Sequence, residues 1–200
     1  QAHASEVQRD FGAAHLLFNN AGVTLISTIE HASLDELKWQ LDVNLMGVIY
    51  GTKAFLPIMR KQKQGVVINL SSIFGWLTFP AQGFYSVSKF GVRAFTECLW
   101  HELRGSGVQA VSVHPGGIRT NIEKAARRAQ LADEFETSML PMVNRTLRTP
   151  PETVARDILR GVARGKRRIL TGYLSRVCYW LPRLLPNHYD HNLRLLIKLS

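Results

Sequence analysis

Short apolar runs alternate along the chain with longer segments in which apolar residues recur every three or four positions. Four of the runs have the character of buried strands, because they are short, contain aromatic or β-branched residues and end at turn residues. They span residues 15–18, 65–70, 108–113 and 168–171. This alternation is typical of βα units, so the pattern predicts an α/β domain built on a parallel sheet.

Three helices are predicted between and after these strands. The first begins at Ser33, where Ser33-Leu34-Asp35-Glu36 forms a capping-box pattern, and it ends before Gly65. The second spans about 82–104, and the third begins at Pro151, a residue favoured in a first helical turn. The apolar residues at helical spacing are Leu34, Leu37, Leu41, Leu45, Val48 and Ile49 in the first helix, Val87, Phe90, Ala94 and Cys98 in the second, and Val154, Ile158, Leu159 and Val162 in the third.

Composition is that of a soluble globular protein, with residues 1–200 forming one domain. Of the 200 residues, 46% are hydrophobic and 20% are charged, which excludes a disordered or collagen-like chain. No apolar run approaches the roughly 20 residues needed to span a bilayer. Cys98 and Cys178 are too few for a disulfide framework or a zinc cluster, and they indicate a reducing, cytoplasmic compartment. We expect Cys98 to be a small buried residue rather than a nucleophile.

The net charge of +10 is concentrated near the C-terminus. Residues 160–200 contain nine Lys or Arg and one acidic residue, whereas the rest of the chain holds 16 basic and 14 acidic groups. Within 173–200 the basic residues alternate with leucines and with Tyr173, Tyr179, Trp180 and Tyr189. This segment is interpreted either as an amphipathic helix at an anionic lipid surface or as a basic helix that packs on its own domain or on a partner subunit. It contains no recognised nucleic-acid motif, so no nucleic-acid partner is expected.

The candidate chemistry lies in Ser72, Tyr85 and Lys89. Tyr85 and Lys89 are four positions apart on a predicted helix, so their side chains share one face. An ammonium beside a phenol favours the phenolate, which would lower the pKa of Tyr85 towards the range useful for general acid–base catalysis. Ser72 follows a predicted strand, at the sheet edge where open α/β sheets bind ligands.

Each feature alone is typical of a turn or a solvated helix face, and the order of the features along the chain is the stronger signal. That order is Asn19-Asn20-Ala21-Gly22 after a strand, Asn44 inside an apolar helix, Ser72 at a strand end, Tyr85-x-x-x-Lys89 on a helix, and Pro115-Gly116-Gly117 after the next strand.

In these motifs, from about Ala4 to Gly172, the chain resembles the short-chain dehydrogenase/reductase family. The resemblance implies a Rossmann-type doubly wound parallel sheet, of which about the last four strands are present. The first βα units of the family, with the Gly-rich turn that holds the cofactor pyrophosphate, have no counterpart here, so we expect the C-terminal portion of such an enzyme. Strand 15–18 would then be an exposed, aggregation-prone edge, and the chain alone would bind cofactor poorly and show little turnover.

The resemblance also implies roles for individual residues. Tyr85 would exchange a proton with the substrate oxygen, Ser72 would hydrogen-bond that oxygen, and Lys89 would lower the pKa of Tyr85 and bind the nicotinamide ribose. Asn44 would bend its helix and hold a water molecule that links Lys89 to solvent. The cofactor would be NADP or NAD, with NADP favoured, and no metal is needed. The cofactor-binding residues would be Asn19, Ala21, Gly22, Tyr85, Lys89, Pro115, Gly116, Ile118 and Thr120.

The implied activity is hydride transfer that interconverts a hydrophobic alcohol with a ketone or aldehyde. Segment 122–142 occupies the position of the family's mobile substrate lid, and the helices at 33–63 and 82–104 would form a homodimer or homotetramer. Membrane contact through 173–200 would favour lipid-like or steroid-like substrates. The sequence leaves two alternatives open, a pseudoenzyme without catalysis and a basic module that binds a membrane surface.

Overall fold

The central sheet has four parallel strands, and helices cover both of its faces. The computed structural model describes residues 2–122 and 124–199. The helices are α1 (Ala2–Phe11), α2 (Leu34–Leu41), α3 (Gly47–Gln62), α4 (Gly83–Glu102), α5 (Glu134–Thr146), α6 (Pro151–Ala163), α7 (Ser175–Leu184) and α8 (Tyr189–Leu199). The strands are β1 (Leu16–Asn19), β2 (Leu25–Ile26), β3 (Gly65–Leu70), β4 (Val108–Gly116), β5 (Arg127–Arg128) and β6 (Arg168–Gly172). A π-helical turn, Asp42–Met46, joins α2 to α3, and a 3₁₀ turn, Ile73–Gly75, follows β3.

The strand order of the main sheet is β1-β3-β4-β6. In the two central strands, Val67 and Ala110 face the core covered by α3 and α4, whereas Ile68 and Val111 face α6. Because both faces are buried, these strands are continuous apolar runs rather than alternating ones. The predicted α/β fold with four parallel strands is confirmed, and β4 extends beyond its predicted end to Gly116.

Strand β1 lies at one end of the sheet, as predicted. Leu16 and Phe18 are 47% and 44% exposed, and β3 is the strand that pairs with β1 among the described residues. A separate pair of short parallel strands, β2 and β5, places Leu25 opposite Arg127. The sequence did not predict this pair, because each strand has two residues and the partners are about 100 positions apart.

The apolar row predicted for the first helix is only partly the buried one: Val48 is buried, Leu37, Leu41, Leu45 and Ile49 are half-buried, and Leu34 is exposed. Leu34 is 81% exposed, whereas the buried positions Gln40, Asn44, Val48 and Thr52 follow one another at a spacing of four. The cause is the π turn, whose hydrogen bonds join residues five apart and which therefore takes more residues per turn than an α-helix. Residues four positions apart consequently stay on the same side of this part of the helix. The capping box at the start of α2 is confirmed.

The row predicted at helical spacing in the second helix is not the buried one. Val87, Phe90, Ala94 and Cys98 are all exposed, so the expectation of a buried Cys98 is wrong. The side of α4 that is buried carries Ser86, Ser88, Lys89, Val92, Thr96 and Leu99. Hydrophobicity misleads here because much of the buried face is polar.

The C-terminal segment forms two helices, α7 and α8, that pack on the domain. Cys178 and Leu193 are buried in a cluster with Leu77 and Phe79. Of the two interpretations of this segment, packing on its own domain is therefore observed, although α7 also keeps an exposed face. In the ranges that the structure describes, no helix combines the length and apolarity needed to cross a membrane.

A chain of buried amide and hydroxyl side chains crosses the sheet. Asn19 of β1 donates from Nδ2 to Asn69 Oδ1 at 2.8 Å and to Thr52 Oγ1 at 3.1 Å. Asn69 donates to Thr96 Oγ1 at 3.0 Å, and Thr96 donates to the Val92 carbonyl at 2.7 Å. Because these groups satisfy one another, their burial avoids the cost of unpaired polar atoms. The chain of bonds holds β1, β3, α3 and α4 in register.

Gly51 of α3 leaves room for the Asn19 amide, since a Cβ at position 51 would lie 2.4 Å from Asn19 Oδ1. We expect Gly51→Ala to lower the free energy of unfolding by about 1–3 kcal/mol, because the amide cannot retreat without losing its partners. Gly47→Ala is a matched control in the same helix, with its nearest neighbouring atom at 3.7 Å. It should be neutral or stabilising by up to about 1 kcal/mol. Urea unfolding measures both, and equal effects of the two substitutions would contradict this account.

Candidate active site

A cavity of about 520 Å³ lies at the carboxyl ends of β1, β3 and β4. Its wall is mostly apolar, and the polar side chains in it are Asn20, Thr24, Ser71, Ser72, Gln82, Tyr85, Lys89, Thr120, Thr146 and Tyr173. Among the lining residues that the structure describes, Lys89 is the single charged one. Open parallel sheets bind ligands at this edge, and the predicted Ser72, Tyr85 and Lys89 meet here.

The Ser72 side chain lies beside Tyr85 and favours ionisation of the phenol, which lowers its pKa. Ser72 caps the 3₁₀ turn, and its Oγ accepts from the Phe74 amide at 3.2 Å. The Phe74 ring packs edge-on against the Tyr85 ring, with centroids 5.9 Å apart. Burial raises the pKa of Tyr85 to about 12, and the effect of Ser72 offsets only part of that rise. Tyr85 is therefore a neutral phenol at physiological pH.

Lys89 is 3% exposed, and its Nζ donates to the Leu70 carbonyl at 3.0 Å. The ammonium lies 5.6 Å from the centroid of the Tyr85 ring, so the two side chains share a face as predicted. Burial lowers the pKa of Lys89 to about 8. The expected lowering of the pKa of Tyr85 is not found. Burial penalises both the ammonium and the phenolate, and for Tyr85 it outweighs the effect of Ser72, which lowers the pKa.

Asn44 is fully buried in the π turn, which excludes an outward-pointing side chain. Its Oδ1 accepts from the Val23 amide at 2.7 Å, and its Nδ2 donates to the Val23 carbonyl at 2.9 Å and to Ser88 Oγ at 3.1 Å. Asn44 thus ties the loop after β1 to α4. Gly22 in that loop passes close to the site, since a Cβ there would lie 3.4 Å from Lys89 Nζ and 3.5 Å from Asn44 Oδ1.

The predicted cofactor residues divide into two groups. Gly22, Tyr85, Lys89, Pro115, Ile118 and Thr120 line the cavity, together with Asn20, which was not among the predicted residues. Asn19, Ala21 and Gly116 are not in its lining. The Asn19 amide is used inside the sheet, and a Cβ on Gly116 would lie 2.5 Å from the Tyr173 carbonyl. The lining group fits the nicotinamide and ribose end of a dinucleotide, because an ammonium, a phenol and a glycine border one apolar space.

His114 was not predicted as a site residue, yet it holds the backbone of Ser72. The ring is fully buried; Nδ1 lies 3.0 Å from the Ser72 carbonyl and Nε2 lies 2.8 Å from Ser112 Oγ. Because a carbonyl only accepts, Nδ1 carries the hydrogen and Nε2 accepts from Ser112. Burial lowers the pKa of His114 to about 3, so the ring is neutral. The sequence did hold a signal for this role. Ser112 and His114 are two polar residues at positions i and i+2 of an apolar strand, so their side chains lie on the same face of the sheet.

The predicted lid segment is held to the body of the domain by Glu136. This carboxylate is 1% exposed and accepts from the Thr28 amide at 2.9 Å, from His31 Nδ1 at 2.9 Å and from the Asp133 amide at 2.8 Å. Burial opposes its ionisation, but these hydrogen bonds outweigh burial and hold the pKa of Glu136 well below its usual range. Glu123, within the predicted lid, and Ser200, at the end of the predicted tail, lie outside the described residues.

Comparison with known proteins identifies the family. A family model described as short chain dehydrogenase matches residues 1–131. The oxidoreductase SadH of Mycobacterium tuberculosis is 36% identical over 193 residues, which cover 94% of this chain and 69% of that protein. The chain therefore belongs to the short-chain dehydrogenase family, and its class is that of an oxidoreductase.

Two solved structures of the family contain nicotinamide cofactors. A short-chain dehydrogenase/reductase from Burkholderia phymatum, in complex with NAD, has a TM-score of 0.77 and 30% identity, covering 96% of this chain and 72% of its own. A metagenomic short-chain oxidoreductase in complex with NADP has a TM-score of 0.55 and 31% identity, covering 60% of this chain and 54% of its own.

We expect His114 to make the domain less stable in acid. The folded form keeps the ring neutral down to about pH 3, whereas the unfolded chain takes up the proton near 6.5. Between these values the unfolded state binds more protons, so the free energy of unfolding falls as the pH falls. The contribution of this residue is up to about 1.4 kcal/mol for each pH unit.

His114→Gln keeps one donor and one acceptor but has no titrating ring, so it should remove this part of the slope. Urea unfolding at pH 7.5 and pH 5 measures the difference. An equal loss of stability in both proteins on acidification would contradict the assignment.

Proposed function

We propose that this chain carries the catalytic groups of an NAD(P)-dependent oxidoreductase that interconverts a hydrophobic alcohol with a ketone or aldehyde. The observation that supports the proposal most directly is that Ser72, Tyr85 and the buried Lys89, whose ammonium lies 5.6 Å from the centroid of the Tyr85 ring, line one cavity. Hydroxyl donors next to a buried cation can bind a carbonyl oxygen and stabilise the charge that develops on it.

When bound, the nicotinamide supplies or accepts the hydride. In the reductive direction the substrate oxygen would accept hydrogen bonds from the Ser72 and Tyr85 hydroxyls. Tyr85, which keeps its proton up to about pH 12, would donate it as negative charge develops on that oxygen. Lys89, with a pKa of about 8, would still be largely protonated near neutral pH and would stabilise the phenolate left behind. In the oxidative direction Tyr85 would take the proton back.

The residues that line the cavity would hold the reactive end of the cofactor. Lys89 is placed to donate to ribose hydroxyls, and Gly22 keeps the space beside its ammonium open. Pro115, Ile118 and Thr120 would contact the nicotinamide from the β4 side. Three of the predicted residues would not touch the cofactor but would fix the course of the backbone next to the cavity. They are Asn19, Ala21 and Gly116. The proposal includes both NADP and NAD, with NADP favoured as before.

The substrate class follows from the wall of the cavity. Phe74, Leu77, Phe79, Leu147 and Leu174 are among its apolar side chains. Lys89 is the single charged residue in the described lining, and the proposed chemistry uses it at the reacting end, so the apolar wall offers no further counter-ion for a charged substrate group. These features support a neutral, hydrophobic alcohol or carbonyl compound as the substrate.

Homodimer or homotetramer formation through α3 and α4 is part of the proposal. It is supported by the apolar side chains on the outer face of α4, where Val87 is 55% and Phe90 36% exposed, and by Tyr50 of α3, which is 62% exposed. Exposed apolar rows of this kind are typical of subunit interfaces.

A pseudoenzyme without catalysis is the weaker alternative, because Ser72, Tyr85 and Lys89 are all present and all line the same cavity. A membrane-binding role concerns the C-terminal helices and is compatible with catalysis rather than an alternative to it.

Substitution of Tyr85 tests the proposed chemistry. We expect Tyr85→Phe to lower kcat by about 10²-fold or more, because the proton donor is removed while the ring is kept. Lys89→Met should also abolish turnover, but it should raise the free energy of unfolding at pH 7 by about 1–2 kcal/mol, since a buried charge is removed.

Tyr50→Phe is the matched control: it keeps the aromatic ring at the proposed subunit contact and removes only a hydroxyl that is outside the cavity lining, so kcat should be unchanged. The assay uses NADH and NADPH with a panel of hydrophobic ketones, in the longest form of the protein that its gene encodes. Retention of more than a tenth of the activity by Tyr85→Phe would sink the proposal.

The 200-residue chain by itself should bind cofactor weakly, with a Kd above about 1 mM for NADH and NADPH. The reason is that the described cavity offers Lys89 and no arginine or Gly-rich turn to the cofactor diphosphate. Isothermal titration of the chain with each cofactor measures this, and micromolar binding would contradict it.

A further inference from the structure

Helix α7 presents an exposed apolar row on the side turned away from the domain. Val177, Trp180 and Leu184 are 39%, 54% and 71% exposed, and Leu185, directly after the helix, is 39% exposed. These positions are three and four residues apart, so they lie along one side of the helix. The opposite side is buried through Ser175 and Cys178. An apolar row that includes a tryptophan is costly to leave in water.

Two arginines lie along one side of this row, and two more lie near Arg183. Arg176 and Arg183 belong to α7 itself, and both are exposed. The Arg183 guanidinium stacks 4.2 Å from the centroid of the Trp76 ring, and the Arg93 guanidinium lies 3.8 Å from the same centroid. Arg168 of β6 is 4.9 Å from that ring as well. Three guanidinium groups therefore meet at the Trp76 ring, and Arg176 adds a fourth on α7.

The acidic group that the structure places among these arginines is Glu97. Its Oε1 accepts from Arg93 at 3.0 Å and from Arg168 at 2.7 Å. One carboxylate therefore serves two guanidinium groups, and no described salt bridge involves Arg176 or Arg183. The surface around the apolar row carries a net positive charge.

We propose that this surface, formed by Arg176, Val177, Trp180, Arg183, Leu184 and Leu185, docks on an anionic lipid bilayer. The apolar side chains would enter the interfacial region, and the guanidinium groups would pair with lipid phosphates, which they bind in a bidentate fashion. Tryptophan favours this boundary because one part of its ring system is apolar and its N–H is polar. The proposal is independent of the proposed catalytic function.

Charge favours lipid over the other partners that an apolar surface can take. In a symmetric contact with a second copy, the same patch meets itself, so the arginines of both chains would be brought together without compensating acids. A nucleic acid would pair with the arginines but would leave Val177 and Leu184 in water. An anionic bilayer satisfies the charged and the apolar side chains at once.

The buried side of the same helix faces the cavity. Leu174 and Cys178 line it. Docking through α7 would therefore place the cavity one helix diameter from the bilayer, which suits a substrate that partitions into lipid.

Vesicle co-sedimentation tests the proposal, with the 200-residue chain and no cofactor. The probes are vesicles of phosphatidylcholine alone and of phosphatidylcholine with an equal share of phosphatidylglycerol. We expect binding to the anionic vesicles only, and loss of most of it in 0.5 M salt. Each arginine at an anionic surface contributes about 1 kcal/mol, so Arg176→Gln should weaken binding about fivefold.

Trp180→Ala and Leu184→Ser should each weaken binding by a similar factor, while circular dichroism shows an unchanged fold. Brominated phosphatidylcholine in the anionic vesicles should quench part of the tryptophan fluorescence, and Trp180→Phe should remove that quenching. Ile29→Ala and Arg156→Gln are matched controls, because both residues are exposed and lie outside α7.

Three results would overturn the proposal. They are equal binding to neutral and anionic vesicles, equal effects of the α7 and control substitutions, and a change in sedimentation velocity of the lipid-free protein caused by the α7 substitutions. The last result would identify the surface as a contact between protein chains. None of these measurements depends on turnover, so failure of the catalytic proposal would not affect them.

Discussion

The burial of the Lys89 ammonium is the constraint on which the arrangement of the site depends. Its Nζ donates to the Leu70 carbonyl, and the Lys89 carbonyl in turn accepts from Ser71 Oγ at 2.8 Å. The end of β3 is therefore bonded to α4 through both the side chain and the backbone of one residue. Gly75 permits this close approach, because a Cβ there would lie 2.4 Å from Ser71 Oγ. Ser72, the next residue along the chain, is directed at Tyr85 by these same contacts.

The site buries three titratable side chains, and burial is unfavourable for the charged form of each. Burial raises the pKa of Tyr85 and lowers the pKas of Lys89 and His114, so the environment disfavours charge on all three. Hydrogen bonds offset part of this cost: Lys89 donates to the Leu70 carbonyl and both ring nitrogens of His114 have partners, as do the amides in the Asn19 to Thr96 chain. In such an apolar space the Lys89 ammonium interacts strongly with any charge that develops beside it, which is what the proposed proton transfer would use.

Local sequence patterns predicted strands and helices, whereas contacts between residues distant in sequence determine which faces are buried and what some side chains do. The four strands, the capping box at Ser33 and the pairing of Tyr85 with Lys89 could be predicted, because neighbouring residues determine them. The buried face of α4 could not, since Lys89 and Thr96 are buried through partners on β3 that hydrophobicity does not reveal. The role of His114 was missed for the same reason, because its partner Ser72 is 42 residues away. Asn44 was singled out as a site residue from its place in an apolar helix, and the structure shows its side chain holding the Val23 backbone, a contact that the sequence did not predict.

The π turn between α2 and α3 has a mechanical consequence. It is equivalent to one extra residue in a regular helix, and each residue of an α-helix corresponds to about 100° of rotation. The side chains of α2 are therefore rotated about the helix axis relative to the positions that a regular α-helix continuing from α3 would give them. The α3 half is set by Thr52 against the sheet, while the α2 half turns Trp39 towards Arg127, whose guanidinium lies 3.8 Å from the centroid of the ring. One helical segment thus presents Thr52 to the sheet and Trp39 to Arg127, and deleting one residue from the turn would rotate Trp39 by about 100° relative to Thr52.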